Sequence, residues 1–108
     1  DAYYNRALKV RTLVRQDFQK AFGEVDAIFC PVSPTAAFPI NSTVNSPLKA
    51  YLCDVFTVPA NLAGICGISI PCGKTAADRL PVGLQILAPA FAEQSLLCTA
   101  AACERELA

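Results

Sequence analysis

The chain has 108 residues, with nine basic and nine acidic side chains cancelling to zero formal charge and a pI near 6.3, which argues against a surface dedicated to nucleic acid or acidic lipid. Its hydrophobic share of 54% and mean hydropathy of +0.39 are high for so short a chain, because a small domain has proportionally more surface to cover with polar groups. Histidine is absent, which excludes Ser-His-Asp and Cys-His nucleophiles and His-ligated metals within these residues.

Two explanations fit that apolar composition: a membrane segment, or a piece of a larger core. Pro, Gly or a charge interrupts every apolar run before the ~18 residues a bilayer span requires, so the second is favoured. The chain lacks Met and opens on Asp1-Ala2-Tyr3-Tyr4 as if already inside an element. Nothing in it has the n-region, h-region and cleavage site of a secretory signal. The expectation is that residues 1–108 are an incomplete part of a single larger domain. The six cysteines, at 30, 53, 66, 72, 98 and 103, include no C-x-x-C pair and sit in apolar surroundings. They read as buried free thiols acting as small apolar side chains.

Residues 2–22 place Tyr3, Ala7, Val10, Val14, Phe18 and Ala21 at helical spacing, which predicts an amphipathic helix closed by Gly23 in the left-handed conformation. Five of the nine basic residues lie on it, and a solvated face is expected for them. Val25 and Ala27-Ile28-Phe29-Cys30 make a short apolar run that lacks alternation, reads as a strand buried on both faces, and should stop at Pro31. Residues 31–47 hold four prolines among Ser, Thr and Asn and read as a long loop. Ser46-Pro47 has the chemistry of a helix start. That helix is expected to run through Phe56, to kink or restart at Pro59 and to end at Gly64.

Gly67–Pro71 is expected to form a second strand, apolar on both sides, and 73–81 a hairpin connection to a third, antiparallel strand over Pro81–Ala88. Gln85 interrupts that last run and needs hydrogen-bond partners if buried. Residues 92–107 read as a closing helix with Leu96, Leu97, Ala100 and Cys103 facing the core. About three helices and three strands in this order make an α/β slice. Strands apolar on both faces need more cover than three helices supply.

Few residues offer chemistry. Ser69, in Gly67-Ile-Ser69-Ile-Pro71, misses the last glycine of a nucleophile elbow and has no general base, so a structural strand serine is the better account. Gly64, Gly67 and Gly73 do not have phosphate-loop spacing. Lys74 and Arg79 flank a surface turn, and Glu93, Glu104 and Glu106 are not spaced for two-carboxylate work. One acid remains. Asp54 stands inside an apolar stretch with Tyr51 and Thr57 three residues to either side, on one flank if the segment is helical. Those hydroxyls could satisfy the carboxylate, or it could hold a substrate ammonium as an ion pair. Residue chemistry leaves these alternatives level.

The segments Tyr51-Leu-Cys-Asp54-Val-Phe-Thr-Val-Pro-Ala-Asn-Leu-Ala-Gly64, Gly67-Ile-Ser-Ile-Pro-Cys-Gly73 and Leu80-Pro-Val-Gly-Leu-Gln-Ile-Leu87 resemble the C-terminal part of amidase-signature enzymes, and within that family the glutamyl-tRNA(Gln) amidotransferase branch. The helix from Tyr3 to Phe18 and the stretch Asp26–Pro31 with Pro34-Thr35 fit the same likeness. The resemblance implies a C-terminal slice of the amidase-signature α/β fold, a large mixed β-sheet covered by helices. It implies a parent that hydrolyses glutamine and passes the ammonia to a partner subunit. That partner then amidates Glu-tRNA(Gln) with ATP and Mg²⁺ bound to itself, in a complex with B- and C-type subunits and away from the membrane. A cytoplasmic site follows, with an organelle as the alternative.

The family's catalytic Lys and two Ser lie upstream of the matched part, so this chain is expected to hold no catalytic residue or metal site and to be inactive alone. The Asp of the family's Tyr-Leu-x-Asp-x-(Phe/Tyr)-Thr motif helps hold the glutamine amino group, and it maps onto Asp54. Cys53 for Asn, Cys66 for Pro and Ala88-Pro89-Ala90 for a Gly-rich segment depart from the usual pattern. Two other parents stay open: another amidase-signature hydrolase acting on small amides, or a non-catalytic remnant.

Overall fold

The computed structural model describes residues 1–40, 42 and 47–107. Four helices and three strands follow in the order α1 (Ala2–Phe22), β1 (Ile28–Pro31), α2 (Pro47–Cys53), α3 (Val58–Ala63), β2 (Cys66–Lys74), β3 (Pro81–Ala88) and α4 (Glu93–Leu107). The strands form one sheet in the order β1-β3-β2, and β3 is antiparallel to both neighbours. β1 and β2 therefore run the same way on either side of it.

This order decides burial. β3 is central, and Gln85, Ile86, Leu87 and Ala88 are all buried, as an apolar run without alternation should be when both faces are covered. The same expectation fails for the two edge strands. In β1 Phe29 is 50% exposed and Ile28 and Cys30 are half-buried, because α4 packs over β2 and β3 and leaves the β1 edge uncovered. In β2 Ile70 is buried while Gly67 and Ser69 are exposed. β2 also extends beyond the predicted bounds to Lys74, through a register shift between Pro71 and Lys74. Its antiparallel hairpin with β3 forms as expected, closed by Thr75 N–H donating to Leu80 O at 2.9 Å and Leu80 N–H donating to Thr75 Oγ1 at 3.0 Å.

The core lies on one face of the sheet, where Ile70, Ile86 and Ala88 meet Leu96 and Ala100 of α4. Leu96, Ala100 and Cys103 follow one helical stripe. Leu97 stands about 100° around the helix from Leu96 and is 57% exposed, against the expectation that it faces the core. The register places Ile28, Cys30, Gln85, Leu87, Gly67 and Ser69 on the opposite face.

α1 has the predicted bounds but no buried residue. It packs on α3, and Arg11 Nε donates to Leu62 O at 2.9 Å, so this cation neutralises the carbonyl end of α3 and is not simply solvated. Toward its N-terminus Tyr3 is 87% and Val10 53% exposed. Gly23 is right-handed, at φ −71° and ψ −20°, not left-handed as predicted. The chain leaves α1 through tight turns, with Gly23 N–H shared between Gln19 O and Lys20 O, and no reversal of hand is required.

The predicted helix through Phe56 stops at Cys53; its predicted start at Ser46 lies outside the described residues. A turn over 54–57 follows, and α3 restarts at Val58 with Pro59 in its first turn, where a missing N–H costs nothing. Splitting this helix in two explains four helices where about three were expected. Gly64 ends α3 at φ +69° and ψ +36°, its N–H donating to Ala60 O and Asn61 O. A Cβ built there meets only Arg15 Nη2, at 4.0 Å, so the cost of a side chain is conformational. Gly64→Ala is expected to destabilise the complete protein by about 1 kcal/mol, and Gly64→Asn by less, read as a shift in the denaturation midpoint.

The molecule is a plate of 46 × 39 × 17 Å. Its accessible surface is 8201 Å², where a folded monomer of this mass exposes about 5,800 Å². Its radius of gyration is 16.1 Å, where a compact domain of this length has about 13 Å. The thinness also explains the cysteines: all six are free as expected, but five are only half-buried and Cys98 is exposed. No helix among the described residues is long and apolar enough to cross a membrane.

Candidate functional site

The turn between α2 and α3 carries Asp54. α2 cannot continue through it, because Pro59 in mid-helix would clash with the carbonyl of Val55. The chain instead tightens, with Asp54 N–H donating to Tyr51 O at 3.2 Å and Val55 N–H to Leu52 O at 3.3 Å. The Asp54 carbonyl then accepts from Thr57 N–H at 3.1 Å and Val58 N–H at 3.0 Å, and from Thr57 Oγ1 at 3.3 Å. Three donors on one carbonyl make residues 54–58 a compact unit that begins α3.

This geometry bears on the two roles open to Asp54. The Thr57 hydroxyl serves the Asp54 backbone, not its carboxylate, and Tyr51 is 75% exposed. Asp54 is itself exposed. The expected shared helix flank does not form, because Asp54 and Thr57 belong to a turn and not to a continuous helix. Thr57 thus does not satisfy the carboxylate as the structural role requires.

Beneath the turn lies Gln85, at the centre of β3 and 8% exposed. Its Nε2 donates to Phe56 O at 2.8 Å and to Cys30 Sγ at 3.1 Å. The sequence marked Gln85 as a group in need of partners. It held no signal for which partners, since one is a backbone carbonyl 29 residues away. Thr57, Ala60 and Asn61 share with Gly67, Ser69 and Gln85 an open cavity of about 250 Å³. A second, more apolar cavity of about 480 Å³ lies between the loop residues Pro34, Thr35 and Phe38 and the α2 residues Lys49, Leu52 and Cys53. Asp54 lines neither cavity, but Cys53 before it lines the second and Thr57 after it lines the first.

The other candidates stay apart. Ser69 is exposed on β2, in register with Gln85, with no basic side chain among the groups around its cavity. Lys74 is the last residue of β2 and Arg79 lies in the hairpin at φ +56°. Glu93, Glu104 and Glu106 are exposed on α4. Among the described residues no group of three His, Cys, Asp or Glu side chains could hold a metal ion. Cys66, which replaces a proline common in the resembled family, donates its thiol proton to Pro89 O at 3.1 Å and so ties the start of β2 to the end of β3.

The family model Amidase matches residues 1–97. The A-type subunit of glutamyl-tRNA(Gln) amidotransferase from Geobacter sp. (strain M21) is 54% identical over 106 residues, covering 98% of this chain and 22% of that protein. The same subunit from Myxococcus xanthus (strain DK1622) is 56% identical over the same shares. The crystal structure of the A-type subunit from Thermotoga maritima superposes with a TM-score of 0.79 at 41% identity, over 88% of this chain and 20% of that one. An amidase crystal structure superposes with a TM-score of 0.85 at 25% identity, over 97% and 25%. The chain thus spans roughly a fifth to a quarter of the proteins it matches.

Proposed function

Because the chain belongs to the amidase family, we propose that it is part of the glutamine-hydrolysing subunit of a glutamyl-tRNA(Gln) amidotransferase and supplies one wall of its glutamine site. The observation that carries this is the 54–56% identity to the A-type subunits over 98% of the chain. In this reading residues 1–108 are the C-terminal part of a single amidase domain. The exposed apolar residues of α1, β1 and α2, and the surface in excess of a compact monomer, support that reading; they suit packing against the remainder of the domain.

Asp54 would pair with the ammonium of glutamine. A carboxylate on a short, internally bonded turn suits that task, since its position is set before the ligand arrives. The nucleophile and base would come from the remainder of the domain, so residues 1–108 alone would not release ammonia. The ammonia would pass to a partner subunit that uses ATP and Mg²⁺ to amidate Glu-tRNA(Gln), beside B- and C-type subunits, in the cytoplasm or an organelle.

The test is substrate preference of the complete protein. Ammonia release is measured with glutamine and, separately, with acetamide and propionamide. A preference for glutamine of about a hundredfold or more in kcat/KM is expected, because the short amides lack the ammonium that a carboxylate holds. Equal turnover of the aliphatic amides would assign the chain to a general amidase instead.

A further inference from the structure

The 54–57 turn is rigid within itself, but its height over the sheet depends on something outside it. Among the described residues, the hydrogen bond from Gln85 Nε2 to Phe56 O, at 2.8 Å, joins this turn to the sheet. The second Nε2 hydrogen goes to Cys30 Sγ on the neighbouring strand, at 3.1 Å, so both protons of the amide are engaged and its plane cannot rotate freely. The orientation is forced chemically: a peptide carbonyl only accepts, so the nitrogen of Gln85 and not its oxygen must face Phe56. Gln85 stands beside Ile86, which is fully buried, on the central strand, the part of the molecule with least freedom to move.

We infer that Gln85 is a positioning residue for substrate binding, one that holds the Phe56 carbonyl and thereby places the Asp54 carboxylate two residues away. The inference rests on the reading of Asp54 given above. Asp54 receives on its own carbonyl the amides of Thr57 and Val58, so residues 54–58 move together with Phe56. Removing the amide donor frees the turn to rise from β3, and the carboxylate leaves the line of the ammonium. A displacement of about 1 Å in such a group costs up to about a hundredfold in kcat/KM, and for a contact remote from the bond that breaks the loss falls on KM.

The experiment uses the complete protein in its assembled complex and four forms: wild type, Asp54→Asn, Gln85→Met and the double variant. Methionine fills the volume of glutamine without a donor. Gln85→Met is expected to raise KM for glutamine by at least about tenfold while kcat changes by less than about threefold. The double variant should match Asp54→Asn alone within about twofold, since a mispositioned group that is already neutral has nothing further to lose. If Asp54→Asn raises KM but Gln85→Met does not, or if the two effects multiply, the positioning role is overturned and the binding role of Asp54 stands. If Asp54→Asn leaves KM unchanged, the binding role falls and this inference with it.

Should Gln85→Met not assemble, hydrogen exchange on the wild-type complex decides. The Thr57 and Val58 amides are expected to be protected as strongly as those of β3, and exchange at the rate of a free loop would overturn the inference.

Discussion

Asp54→Ala in the complete protein is expected to raise KM for glutamine by about ten- to a hundredfold and leave kcat within a few-fold of wild type. A hydrogen bond to a charged group contributes about 1.5–3 kcal/mol, and each 1.4 kcal/mol is a factor of ten in affinity. In the proposed role Asp54 holds the glutamine ammonium, which is remote from the bond that breaks, so its loss would weaken ground state and transition state alike and the effect would fall on KM. Folding should be spared. Asp54 is exposed, its structural contribution is the backbone carbonyl that collects Thr57 and Val58, and alanine keeps that carbonyl. Stability, read from the denaturation midpoint at constant slope, should therefore change by no more than about 0.5 kcal/mol. Asp54→Asn, which retains an acceptor oxygen and loses the charge, should fall between the two. A KM for glutamine unchanged in Asp54→Ala would remove the residue from the substrate site.

Ile86→Ala is expected to be the most damaging single truncation, lowering stability by about 2–5 kcal/mol. Ile86 is 0% exposed, lies on the strand bonded on both sides, and fills the space between Ile70, Leu96 and Ala100. Truncation removes three carbons and leaves a cavity that two rigid edges, a sheet and a packed helix, cannot collapse into. Ile86→Val should cost about 0.5–1.5 kcal/mol at the same position. Chemical denaturation of the complete protein, compared by midpoint at constant slope, measures both. A loss under about 1 kcal/mol for Ile86→Ala would mean that α4 does not pack on this sheet as described.

Much of the local structure was legible in the residues. The bounds of α1, the restart forced by Pro59, the stop at Gly64, the β2–β3 hairpin and the Leu96-Ala100-Cys103 stripe all follow from period, proline and glycine, which act over one or two turns of chain. Local rules do not reach finer detail: Gly23 is right-handed because the exit from α1 needs no reversal of hand, and Leu97 lies one position outside the stripe. Identity of type was equally legible at the site. A lone carboxylate at 54 and a lone amide at 85 could be singled out as groups that an apolar sequence does not carry without a reason.

The sequence by itself thus determined the order of helices and strands, several of their ends (α1, and the stop of α3 at Gly64) and the two polar side chains that require an explanation, but not the end of α2 at Cys53 or the extension of β2 to Lys74. Only the tertiary structure decided that β3 enters between β1 and β2, so that of three similar apolar runs one alone is buried on both faces. It decided that Asp54 sits on a turn where the Thr57 hydroxyl bonds its backbone, and that Gln85 reaches the carbonyl of Phe56. The reason is physical. Helix period, caps and turn chemistry are settled by neighbours in sequence, whereas burial and hydrogen-bond partnership are settled by neighbours in space. Strand order brings together residues 29 and 55 positions apart, Gln85 with Phe56 and with Cys30, and no local rule specifies that.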